Sequence, residues 1–115
     1  MVVHQIRQQP TDVGWTAPPP GFYKINVDGA IDENRRLSSV GVIIRDCKGR
    51  VVVVRSKVLN GMYEAETIEA FAVEEGILLA RERGLNQVVI ESDSLSVVQA
   101  INTNSNMGEL GFKES

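Results

Sequence analysis

Three carboxylates stand where the sequence permits chemistry. Asp28 closes an alternating apolar run, Glu69 lies early in a helical pattern, and Asp93 follows another apolar run. If the two runs form parallel neighbouring strands, both aspartates reach the same sheet edge, where ligands of such sheets tend to sit. Glu69, read as a first-turn helix residue, can point at the same place. Carboxylates gathered without an intervening Lys or Arg repel each other unless a cation neutralises them. All-oxygen ligation selects hard ions, Mg²⁺ or Mn²⁺. Two such ions about 4 Å apart activate water and stabilise the leaving oxygen in phosphodiester cleavage. Each residue alone has a plainer explanation. Asp28-Gly29 is a common turn dipeptide, Glu69 suits the positive end of a helix dipole, and Ser92-Asp93-Ser94 can cap a helix. The coincidence of all three on one strand order carries the metal reading.

Other chemistries are excluded by composition. His4 is the only histidine and Cys47 the only cysteine, so Ser-His-Asp and Cys-His sites lack a base. A disulfide framework and a Cys-based zinc site are excluded too. The 115 residues suit one domain, and 43% hydrophobic content supports a core. A net charge of −3 argues against a strong whole-chain grip on nucleic acid. No apolar run approaches the roughly 20 residues of a bilayer span. Met1 to Gln5 resembles no secretory signal. The expectation is a soluble intracellular protein, not secreted and without membrane contact.

The elements that must position these groups follow from periodicity. Residues 1–20 end in Pro18-Pro19-Pro20 and read as an extended linker, with Trp15 packing on the domain that follows. Phe22–Asp28 alternates as a first strand, with Tyr23, Ile25 and Val27 on one face, and Gly29 ends it. Asp32–Arg36 is a loop. Val40–Arg45 and Val51–Lys57 form a hairpin through the turn Asp46–Gly49. From Thr67, apolar residues at Ile68, Phe71, Ala72, Ile77, Leu78 and Leu79 predict a helix that Gly84 stops. Gln87–Glu91 is a fourth strand. Leu95, Val97, Val98 and Ile101 form a short helix capped by Ser94. The order β-β-β-α-β-α predicts an α/β fold: a three-stranded antiparallel meander, a parallel fourth strand, and helices packed on this mixed sheet. The folded domain is assigned to residues 21–104 and a flexible tail to 105–115.

Four segments in order carry a family resemblance. Pro19-Pro20-Gly21-Phe22-Tyr23-Lys24-Ile25-Asn26-Val27-Asp28-Gly29-Ala30, Gly41 to Gly49, Ile68 to Ala80 and Val89 to Val98 resemble plant ribonuclease H-like domains. These are related to the nuclease domains of retrotransposon reverse transcriptases. The resemblance covers about residues 15–102. It implies a metal-dependent endonuclease that hydrolyses the RNA strand of RNA–DNA hybrids, with Asp28, Glu69 and Asp93 as catalytic metal ligands for Mg²⁺ or Mn²⁺. Glu69 matches because its spacing to Gly76 and Ala80 fits, with Glu66, one turn earlier, as the alternative. The implied partner is the hybrid itself, gripped through sugar and phosphate near Gly29 and Ala30. Arg35 and Arg36, and the basic run Arg45, Lys48, Arg50, Arg55 and Lys57, are further phosphate-binding candidates; an ordinary solvated hairpin is the favoured explanation of the run.

The sequence also departs from the family pattern. Active members carry a fourth carboxylate in a C-terminal helix, after a fifth strand, whereas no aspartate follows Asp93 here. Ser96 stands where bacterial members have an aromatic substrate contact. The expectations are weak metal binding, slow or absent cleavage, and a fourth strand whose open outer edge invites homo-oligomer formation. The competing reading is a catalytically impaired nucleic-acid-binding or scaffolding module of the same fold.

Overall fold

The structure is a computed structural model that describes residues 1–8 and 15–92. The elements are β1 (Val2–Gln8), β2 (Tyr23–Asp32), β3 (Leu37–Arg45), β4 (Val51–Asn60), α1 (Ala65–Glu82) and β5 (Gln87–Ser92). They form one five-stranded sheet in the order β1-β5-β2-β3-β4. β2, β3 and β4 make the expected antiparallel meander. β5 arrives through α1 and pairs parallel with β2.

The core lies between α1 and one face of the sheet. Ile25 and Val27 of β2, Val40, Val42 and Ile44 of β3, and Val88 and Ile90 of β5 are buried there. They meet Ile68, Ala72, Val73, Ile77, Leu79 and Ala80 of the helix, a spacing that follows the helical period. Phe71 and Leu78 fall at the margin of this stripe and stay partly exposed; Phe71 makes an edge-to-face contact with Tyr63 at 5.4 Å. Gly76 permits the close approach, because a Cβ there would lie 2.8 Å from Val27 Cγ1. Gly84 ends the helix as expected, with φ +68°, and the Leu85 N–H returns to the Ala80 carbonyl.

Two sequence expectations are corrected. The first is the linker over residues 1–20, because Val2–Gln8 is a strand. β1 pairs parallel with β5, from Val2↔Gln87 to Gln8↔Ser92. Val3 and Ile6 are three residues apart and would face opposite ways in a regular strand. A register shift between Val3 and Gln5 turns both into the core. The same finding corrects the expected open edge: β1 covers the outer side of β5. Among the described residues the sheet's two edges are β1 and β4.

The second correction concerns Gly29, which does not end its strand. β2 continues to Asp32, paired to β3 down to Asp32↔Leu37, and turns through Glu33–Arg36 with Arg36 at φ 54°. Asp-Gly reads as a turn locally, but pairing with β3 carries the backbone straight through it. The helix proposed around Leu95–Ile101 and the tail 105–115 lie outside the described residues. No helix among the described residues is long and apolar enough to cross a membrane.

Candidate functional site

Asp28 sits within β2, exposed, with Gly41 opposite it on β3. On its other side, among the described residues, β2 pairs with β5 as far as Val27↔Ser92. Asp93, the successor of Ser92 in the chain, lies outside the described residues.

Glu69 comes to the same place from α1. Its Oε1 accepts the Gly29 N–H at 3.1 Å, which fixes the carboxylate beside the residue that follows Asp28. It lies in the second turn of α1, not the first as expected, because the helix begins at Ala65. Gly29 makes this approach possible: a Cβ there would overlap the Ile68 side chain and stand 3.1 Å from Glu69 Oε1. Gly29 therefore acts as a close-contact glycine and not as a turn glycine. Glu66 is exposed in the first turn, whereas Glu69 is half-buried and tied to β2.

Among the described residues no group of three or more His, Cys, Asp or Glu side chains is gathered closely enough to hold a metal ion. Asp28 and Glu69 supply carboxylate oxygens one residue apart along β2. Such donors suit a hard divalent ion and do not suit a soft one.

The basic residues divide by face. Arg55 points toward α1, where it hydrogen-bonds Glu75 and Glu82, and Lys57 lies 3.8 Å from Glu75. Arg50 closes the β3–β4 turn on Asp46 at 2.8 Å. Arg35 pairs loosely with Asp32 at 3.8 Å, and Arg36 is exposed beside it. Most of the basic run is thus engaged with acids of the same chain. Arg45 differs. It lines a groove of about 390 Å³ on the sheet face opposite α1, together with Trp15, Asn26, Asp28, Gly41 and Ser56. Trp15 packs over Gly49 and lies 4.9 Å from Lys24 Nζ, so it does pack on the domain.

Partial desolvation raises the pKa of the Asp46 carboxyl, but N–H groups of Arg50 and Lys48 and the Arg50 guanidinium outweigh it and hold the group below its ordinary value. Glu82 is also lowered, chiefly by its hydrogen bond from Arg55.

Sequence reasoning missed a polar cluster beneath the site. On the face opposite α1, Glu91 receives Arg7 Nε at 2.6 Å, Asn26 Nδ2 at 3.1 Å and Lys24 Nζ at 3.2 Å. Lys24 is 0% and Glu91 2% exposed. Lys24 also donates to the Thr16 carbonyl, and Pro18 is buried alongside. The available signal was a charged residue, Glu91, inside an apolar strand.

Comparison with known proteins agrees with this architecture. The family model described as reverse transcriptase-like matches residues 26–111. A putative ribonuclease H protein of Arabidopsis thaliana is 36% identical over 92 residues, covering 79% of this chain but 14% of that protein. The chain therefore spans about a seventh of that relative. Among solved structures, ribonuclease H1 from the archaeon Halobacterium salinarum superposes with TM-score 0.66 at 20% identity, covering 78% of this chain and 69% of that one. LC11 ribonuclease H1 in complex with an RNA/DNA hybrid gives TM-score 0.63 at 21% identity, covering 81% and 66%. At these identities the structural likeness speaks for the fold.

Proposed function

The chain belongs to the reverse transcriptase-like family and has a ribonuclease H-like fold, and from that premise we propose that it is a metal-dependent endonuclease acting on the RNA strand of RNA–DNA hybrids. The observation that carries the reading is the 3.1 Å hydrogen bond from Gly29 N–H to Glu69 Oε1, which joins the helix carboxylate to the strand that bears Asp28. Asp93 is assigned to the same site because Ser92, its predecessor, is in register with Val27, the predecessor of Asp28.

In this reading Asp28, Glu69 and Asp93 hold Mg²⁺ or Mn²⁺. When bound, the ions supply water activation and stabilisation of the leaving oxygen. The chain's own groups orient and hold. The Gly29 N–H fixes one Glu69 oxygen, and the small residues Gly29 and Ala30 let a sugar–phosphate backbone approach. Arg45, in the groove that Asp28 lines, and Arg36, at the β2–β3 turn, take phosphates. No ladder of aromatic side chains accompanies them, so sequence-specific or stacking recognition is not part of the proposal.

The test is cleavage of an RNA–DNA hybrid in Mg²⁺ or Mn²⁺, comparing the chain with Asp28→Asn. The expected result is RNA-strand cutting that the substitution reduces by at least about a hundredfold, the scale of removing one charge-stabilising group. Equal rates for the two proteins would sink the assignment. Hybrid binding without cutting by the unsubstituted chain would favour the scaffolding module.

A further inference from the structure

We propose that Arg7, through Glu91, is a positioning residue for the metal site, so that the N-terminal strand β1 helps set the affinity of the Asp28 region for divalent metal. The inference rests on the reading of the preceding section. It goes beyond that reading by assigning a role to a segment outside the 26–111 family match.

The argument begins with register. Asn26 is opposite Glu91, and alternation places Asp28 one pleat beyond Asn26 on the same face. Glu91 likewise precedes Asp93 by two residues. The Glu91 cluster is thus the layer of side chains next to Asp28. It joins three strands: Arg7 from β1, Asn26 and Lys24 from β2, and Glu91 from β5.

Electrostatics makes this layer stiff. Glu91 sits between two cations and is 2% exposed, so it is itself unsuited to bind metal. A carboxylate held by charge-assisted hydrogen bonds from two strands has little freedom to move. Arg7 pairs with Glu91 and Gln8 with Ser92 along β1 and β5. On its other side, Ser92 pairs with Val27, one residue before Asp28. Release of Arg7 would leave the Glu91 carboxylate held from β2 only, by Asn26 and Lys24. Groups that orient ligands without touching the metal typically change metal affinity by about 10–100-fold when removed.

The test uses the full chain and Mn²⁺ alone as probe, with binding read by calorimetry and β5 mobility by amide hydrogen exchange. Arg7→Met keeps the apolar stem and removes the charge. We expect Mn²⁺ affinity to fall about tenfold and exchange at Glu91 and Ser92 to quicken, with Arg7→Lys restoring part of both. Ile77→Val, a core change that destabilises α1 away from the network, serves as the stability control and should leave Mn²⁺ affinity unchanged. Asp28→Asn should remove Mn²⁺ binding. Unchanged affinity in Arg7→Met, with binding still lost in Asp28→Asn, overturns the positioning role and spares the metal reading. An equal loss in Ile77→Val and Arg7→Met also overturns it, since general destabilisation then explains both. Absence of Mn²⁺ binding in the unsubstituted chain overturns the metal reading and this inference together.

Discussion

Along β5, Val88, Ile90 and Ser92 turn toward α1, while Val89 and Glu91 turn to the opposite face, and the two faces are stabilised differently. Toward α1 the sheet meets a continuous apolar layer, with Ile25, Ile44, Ala72, Leu79, Ala80, Val88 and Ile90 all fully buried. Such a layer is non-directional and tolerates small changes of shape. Away from α1, under the segment Trp15–Pro20, the sheet is held by directed groups: one buried carboxylate, one buried ammonium and a partly exposed guanidinium. Further along that face, Val54 and Val58 of β4 remain exposed. The proposed ligand Asp28 opens onto this second face, and Glu69 reaches it from the first through Gly29. The apolar face thus secures the fold, and the polar face sets the position of individual groups beside the site.

The sharpest way to break this comparison is to compare deletions on the two faces. Glu91→Ala leaves the fully buried Lys24 ammonium without its carboxylate, and breaking a buried pair in this way costs about 3–5 kcal/mol. Leu79→Ala on the apolar face costs about 2–5 kcal/mol by lost burial and cavity formation. Similar losses in urea denaturation are expected. The faces separate in the repair. Lys24→Met combined with Glu91→Leu should recover most of the stability, because apolar replacement of a whole buried pair is often neutral or better. If the double variant is as unstable as Glu91→Ala, the cluster contributes more than paired charge, and the contrast between the faces fails.

Next in size is the junction between the faces. Gly29→Ala would drive a methyl group into Ile68 and against Glu69 Oε1. Overpacking of this kind costs about 1–3 kcal/mol, and here it also pushes α1 away from β2. The expected outcome is a lowered Tm together with weaker Mn²⁺ binding. Gly76→Ala offers the contrast. Its Cβ would press on Val27 and Ile25 at 2.8 and 3.0 Å, but the gain in helix propensity of about 1 kcal/mol offsets part of the strain. A Gly29→Ala variant with normal stability and normal Mn²⁺ affinity would show that the close approach is not needed.

These residues also show what the sequence could and could not disclose. The meander, the helix and the parallel last strand were legible because their apolar periods are regular. β1 was not, because the irregularity between Val3 and Gln5 breaks the alternation that marks a strand, and its partner β5 lies some 85 residues away in the chain. Gly29 was misread because Asp-Gly has the same local signature in a turn and in a close contact; only the position of Ile68 distinguishes them. Alternation along β2 puts Lys24 and Asn26 on the polar face, opposite Ile25 and Val27. That face is in fact covered, which depends on Trp15–Pro20 folding back across it. Asp28 and Glu69 were legible through residue type and resemblance, whereas the Glu91 cluster required the register of three strands.

The smallest expected effect tests the outer rim of the apolar face, where Arg55 of β4 bridges to Glu82 and Glu75 of α1. The sequence reading counted Arg55 among phosphate contacts, but the structure commits it to the helix. Glu82 is exposed, so its pairing is screened by solvent and salt and adds only a slight increment. Its pKa is lowered, first by the Arg55 hydrogen bond. A carboxylate with a depressed native value binds fewer protons folded than unfolded, so its contribution is present above the ordinary carboxylate range. That contribution fades as pH falls through the lowered native value. Glu82→Gln should therefore lower Tm slightly at pH 7 in low salt. The difference should shrink in 1 M salt and vanish once acid has protonated Glu82 in both states. Glu82→Gln should leave hybrid binding unchanged, since the Arg55 guanidinium is committed to Glu75 and Glu82 even though Arg55 borders the Asp28 groove. A loss of hybrid affinity in Arg55→Gln, with Glu82→Gln unaffected, would return Arg55 to the substrate side and erase the division of basic residues between the two faces.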